Sequence, residues 1–286
     1  MLWLARLGKS VYLGAPLLGF IVTLYLAVTG RFGITDILLV IPYFLGPGFG
    51  ITIGFHRFAT HGAFRANRML GYGLLALGSM AGEGSLDFWV RNHLKHHWNS
   101  DDEGDPHSPW YGWLDRFLGL VFAHVGWLFN RNDVSDVELP EYTRELFNDS
   151  VVGWIDRLFI VFMVLYYLIP FEVQGVNGIW SALTAAFCRY NVTFAVNSVC
   201  HRWGSSPFKT GDHSTNNWVV GILGLGEGWH NNHHAFQRAA FHGLSWWQVD
   251  FSGYLISLFE FLKLVGGVQR PDREQITKKL IAAGKP

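Results

Sequence analysis

Four long apolar stretches limit most strongly what this chain can fold into. They cover approximately residues 11–28, 34–54, 151–170 and 178–199, and a helix needs roughly 20 apolar residues to cross a bilayer. The third carries Asp156 and Arg157 in its first half, so both belong near the membrane surface and the span shifts towards its carboxyl end. The first is longer than the roughly 7–15 apolar residues of a secretory signal, and a second apolar run follows at once. It reads as a span. Two further runs, residues 69–81 and 117–129, are too short to cross and read as buried or interfacial segments.

Composition agrees. Half of the 286 residues are hydrophobic and 15% are charged, against about a quarter charged in a soluble domain. Thirteen tryptophans suit surfaces at the membrane–water boundary. A formal net charge of zero argues against nucleic acid as a partner. Cys188 and Cys200 are too few for an iron–sulfur cluster, which takes about four thiolates.

Arginine and lysine set the orientation. Arg6 and Lys9 precede the first span, Arg57, Arg65, Arg68, Arg91, Lys95, Arg116, Arg131 and Arg144 follow the second, and the carboxyl-terminal segment is basic. The first short loop holds only Arg31, and residues 171–177 hold no arginine or lysine. Basic segments stay in the cytoplasm, so both termini and the large segments at about 55–150 and 200–286 are expected there. The pattern predicts one domain, residues 1–286, in which four transmembrane helices carry a cytoplasmic helical cap.

The 13 histidines are clustered. His56 and His61 lie in HRFATH, His93, His96 and His97 in HLKHH, and His230, His233 and His234 in HNNHH. On an α-helix, positions i, i+3 and i+4 share a face, so each HxxHH presents three imidazoles together. His56 and His61 diverge by roughly 140° on the same geometry and are expected to serve different metal ions. His201 follows the fourth span as His56 follows the second, which puts both at one membrane level. Eight or nine imidazoles exceed one coordination sphere, so two ions are expected. A nitrogen-rich pair beside a membrane points to iron and oxygen chemistry rather than zinc. His107, His124, His213 and His242 read as ordinary hydrogen-bonding residues.

HRFATH, WVRNHLKHHWNSDDEGDPH, HVGW, NSVCHRWG and GEGWHNNHHAF, in this order, resemble the membrane fatty acyl desaturases of the delta-9 type. HGLSWWQVD is most similar to bacterial members. The resemblance implies an all-α multi-pass protein of a bacterial inner membrane with a histidine-ligated di-iron site. It would insert a cis double bond into a saturated acyl chain using O2 and two electrons, with no catalytic residue beyond the metal ligands. One iron would be held by His56, His97, His201 and His233, with Asn197 reaching it through a water, and the other by His61, His93, His96, His230 and His234. Asp101, Asp105 and Glu227 are candidates to orient ligand rings. Arg91, Asn92, Arg131 and Arg189 are candidates to contact substrate. Arg131–Asn132 stands where animal acyl-CoA enzymes carry a basic pair, and Asn92 where they carry Asp. A CoA, lipid or carrier form of the acyl substrate therefore stays open. Electrons must come from a separate ferredoxin-like protein or cytochrome. Tyr25, Tyr43 and Phe44 are candidates to block the inner end of an acyl tunnel. A membrane hydroxylase or ketolase is the alternative. A metal transporter is more remote, because its ligands would lie near mid-bilayer.

Overall fold

The computed structural model describes residues 2–110, 116–130 and 133–282. Arg131 and Asn132 fall outside the described residues. Helix α1 (Leu2–Val28) turns at Gly30, whose φ of +70° suits a residue without Cβ, into α2 (Ile34–Phe49). The Asp36 carboxylate accepts the Gly33 N–H at 2.7 Å, closing the first turn of α2. α2 continues into a π-helix, Gly50–Thr60, so Ile34–Thr60 forms one apolar helix of 27 residues.

A two-residue strand β1 (Arg65–Ala66) leads to α3 (Arg68–Met80) and α4 (Leu86–Asn99). The side chains of Asn67 and Ser85 accept backbone N–H groups at the starts of α3 and α4. The segment then runs through α5 (Arg116–His124), α6 (Glu141–Phe147), α7 (Ser150–Arg157), α8 (Phe159–Gln174) and α9 (Val176–Ser198). Three short helices follow, α10 (Trp218–Leu223), α11 (His230–Ala235) and α12 (Phe251–Phe261). β2 (Val265–Gly266) pairs antiparallel with β1 before the terminal helix α13 (Arg273–Ala282).

Among the described residues, two helices, Gly8–Val28 and Ile34–Thr60, are long and apolar enough to cross a membrane, or three if α7 and α8 count as one span. α7 and α8 meet at a 64° bend. The break falls at Leu158, directly after Asp156 and Arg157, and leaves the apolar stretch to α8. α9 has 23 residues, about 35 Å at the usual helical rise, yet it is not among the helices that pass on apolarity. The reason is position. α9 packs against α1, α2, α5 and α8, so protein covers it and polar residues are tolerated. Thr184 bonds Thr23 of α1 at 2.8 Å. Arg189 donates to the carbonyls of Tyr43 (3.2 Å) and Ala81 (2.8 Å) and to the Tyr166 hydroxyl (3.3 Å). It lies over the rings of Tyr166 and Tyr190, so one buried guanidinium links α2, α8 and α9 to the end of α3 instead of reaching for the membrane surface.

The π-helix lies directly on α3. A Cβ at Gly50 would sit 2.1 Å from the Gly78 nitrogen, so this crossing requires residues without side chains.

Candidate metal centre

Nine histidines converge at the end of the helical bundle, from the π-helix, α4, the turn after α9, and α11. They form two groups in which potential ligand atoms lie within 4.8 Å of one another. One comprises His56, His61, His93, His97 and His233, the other His96, His201, His230 and His234. All nine expected residues are brought together. Their division differs from the expectation: His61 and His93, expected in the second set, lie with His56, and His201, expected with His56, lies with His96.

The differences at His61 and His93 follow from helix geometry. The His61 N–H donates to the His56 carbonyl at 3.1 Å, an i→i+5 bond of the π type. A π turn returns residues five apart to the same side, and the two rings lie 4.8 Å apart. On α4, His97 is about 40° from His93 in one direction and His96 about 60° in the other, so the helix straddles both groups. α11 does the same, sending His230 and His234 to one group and His233 to the other.

Four carboxylates stand behind the rings. Glu227 accepts from His56 Nδ1 at 2.6 Å, Asp105 from His96 at 3.0 Å, Asp101 from His201 at 2.7 Å, and Asp212 from His234 at 2.6 Å. Burial alone would raise these carboxyls, but their histidine partners outweigh it and hold all four below the usual range. Glu227 is held in turn by Arg57, fully buried, which also donates to Asp250 at 3.2 Å. Asp101, Asp105 and Glu227 thus take the places expected of them. Asp212 was not foreseen, because it lies 22 positions before His234 in a loop without recognisable pattern.

This arrangement fixes tautomers. A neutral ring that donates from Nδ1 presents a lone pair at Nε2. His201 and His234 both donate from Nδ1, to Asp101 and Asp212, yet both point Nε2 at His230 Nε2 from 3.0 Å. One hydrogen on His230 could satisfy only one of them. In the other group Nε2 atoms meet at 2.9–3.1 Å for His56–His233, His61–His93, His93–His97 and His97–His233. Burial, reinforced by neighbouring rings, keeps His93, His97, His230 and His233 well below the usual histidine range and hence neutral. Converging Nε2 atoms on buried, oriented imidazoles fit a bound cation in each group.

A narrow cavity runs along this centre. His56, His93, His96 and His230 line one end, with Trp89 and Asn197. Phe44, Gly48, Ile51, Val192, Val196 and Leu225 supply mostly apolar walls. Trp89 stacks on His93 with centroids 5.1 Å apart.

The fatty acid desaturase family model matches residues 37–250, which includes every histidine of both groups. The chain belongs to the fatty acid desaturase family. It is 36% identical over 234 residues to the sn-1 stearoyl-lipid 9-desaturase of Anabaena variabilis, covering 82% of this chain and 83% of that one. It is 33% identical to the protein of the same description from Synechocystis sp., over 83% and 72% of the two chains. With the acyl-CoA C20 Delta5-desaturase of Anemone leveillei it shares 37% identity over 78% of this chain and 70% of the relative. This desaturase is therefore an oxidoreductase acting on fatty acyl chains.

Of the expected substrate contacts in the desaturase, Arg189 lines the cavity. Arg91 is held away from it by Asp87 at 2.8 Å and by the Val137 carbonyl. Asn92 is buried with its Nδ2 unpartnered and is not among the cavity-lining residues. His107 and His242, expected to be ordinary, press on the centre instead, with ring centroids 4.5 Å from His96 and His233 respectively. Adjacent placement in sequence marks neither. His124 bonds Ser198 at 2.9 Å and is an ordinary hydrogen-bonding residue.

Proposed function

We propose that this protein inserts a cis double bond, at the delta-9 position, into the saturated acyl chain of a membrane lipid. The observation that carries the reading is the pair of carboxylate-backed imidazole groups at one end of a narrow apolar cavity. The five-histidine group would hold one iron ion and the four-histidine group the other, with Asn197 adding a water-mediated contact. Two iron ions held there would supply O2 reduction coupled to removal of two vicinal hydrogens. The reaction consumes one O2, two electrons and two protons and releases two waters.

The chain's own residues supply position and dryness. Apolar side chains of α2, the π-helix and α9 line the path of the methylenes past the centre, and their enclosure excludes bulk water. Glu227, Asp105, Asp101 and Asp212 keep ring nitrogens aimed at the metals. The lipid form of the substrate and the delta-9 position rest on the two stearoyl-lipid 9-desaturase relatives, and the rearranged basic positions at 131–132 agree with a substrate lacking CoA phosphates. The whole chain acts as one domain with four crossings, both termini in the cytoplasm of a bacterial cell. A separate ferredoxin-like protein or cytochrome delivers the electrons.

The test is gas chromatography–mass spectrometry of total fatty acids from cells expressing the protein, beside a His233→Ala control. Acyl chains lacking two hydrogens at carbons 9 and 10 are expected with the wild type only. Chains that gain oxygen instead would overturn desaturation.

A further inference from the structure

A second depression beside the metal centre shares no lining residue with the acyl cavity. It runs between α11 and α13, lined by His234, Phe236, Arg238, Arg270, Gln275 and Lys279 among others. None of its described lining residues is a carboxylate. Arg238 lies over the Tyr142 ring and Lys279 over the Phe236 ring, where it also donates to the Ala235 carbonyl. Neither has a carboxylate ion-pair partner among the described residues, whereas Arg270 pairs with Glu260 at 2.6 Å. Two of its three lining cations, Arg238 and Lys279, are thus held by neutral groups, and the groove is positive.

Its floor is a member of the four-histidine group. His234 lines the groove on one side and on the other brings Nε2 to 3.0 Å from His230 Nε2. One side chain separates this surface from the proposed metal. The chain contains only two cysteines, too few for an iron–sulfur relay of its own.

Resting on the desaturase reading, we propose that the α11–α13 groove is the docking site of an acidic one-electron carrier protein, which passes electrons through His234. A substrate head group is not its occupant, because the acyl cavity lies elsewhere. Each encounter delivers one electron, so two successive dockings complete one turnover. Opposite charge accelerates such encounters and makes them sensitive to salt.

The experiment uses the full-length, iron-loaded protein in phospholipid nanodiscs, mixed with a reduced acidic [2Fe–2S] ferredoxin. The double variant Gln237→Glu/Gln275→Glu adds negative charge without removing an arginine or lysine, and Arg270→Glu provides a second test. Ferredoxin oxidation at low salt is expected to fall about tenfold in both, with the difference closing at high salt. Oxidation of reduced methyl viologen, which needs no docking surface, is expected to stay within about twofold. An unchanged ferredoxin rate, or equal slowing with both reductants, overturns the proposal. Failure of the desaturase reading shows separately, as absence of an unsaturated product from the wild type driven by methyl viologen.

Discussion

Asp212 is where a single residue bears most directly on the centre. Its carboxylate accepts from His234 Nδ1 at 2.6 Å and also from Thr210 and Ser214, so it is itself held rigidly. Removing such an outer partner typically costs about 10–100-fold in metal affinity or activity. Asp212→Ala is expected to show that loss in iron bound per chain and in turnover, and Asp212→Asn, which keeps an acceptor oxygen, to recover part of it. Wild-type iron content in the alanine variant would show that His234 needs no such support. Asp101, Asp105 and Glu227 were legible in sequence because each lies within a few residues of a histidine box. Asp212 was not, since a loop that returns over a helix leaves no periodic trace.

Among the elements, the π-helix decides the most and was the least legible. The apolar run through residue 54 announces a helix, but nothing in HRFATH distinguishes i→i+4 from i→i+5 bonding. The α-helical assumption therefore separated His56 from His61, which the structure unites. HxxHH in α4 was read as one face shared between two ions, but with His97 set apart, whereas the structure keeps His93 with His97 and sets His96 apart. The π-helix keeps its place through contact with α3. Gly50→Ala would bring Cβ to 2.1 Å from the Gly78 nitrogen, and overpacking of this kind costs about 1–3 kcal/mol. The expected outcome is a lower melting temperature in detergent with reduced iron loading. Gly73→Ala on α3, where nothing lies within 4 Å, is the control and is expected to melt no lower than wild type.

Across the whole molecule, the bundle and the centre meet at the cavity. Its lining positions on the long second helix include Phe44, Gly48, Ile51, Thr52 and His56, and on α9 Arg189, Val192, Thr193, Val196 and Asn197. These are two facing helical stripes at spacings of three and four. Helical periodicity made both helices legible, but not that α9 is the enclosed one, because a buried helix can carry threonines and an arginine where a lipid-facing one cannot. Enclosure also sorts the three candidates for the tunnel's inner end. Tyr25 is 61% exposed and points away from the bundle, and Tyr43 packs on Tyr166 with centroids 5.1 Å apart. Phe44 lines the cavity and lies twelve positions before His56, roughly 15–18 Å along the helix. Truncating it opens space at the end farthest from the histidines without touching them. Phe44→Ala is therefore expected to shift the unsaturated products towards longer chains in gas chromatography–mass spectrometry, at an unchanged double-bond position. Tyr25→Ala is expected to leave chain length as in the wild type. The two readouts separate because bond position depends on how the acyl chain is held at the metal centre, whereas accepted length depends on where the cavity ends. A Phe44→Ala enzyme that moved the bond without lengthening the chain would mean that Phe44 steers the methylenes rather than stops them.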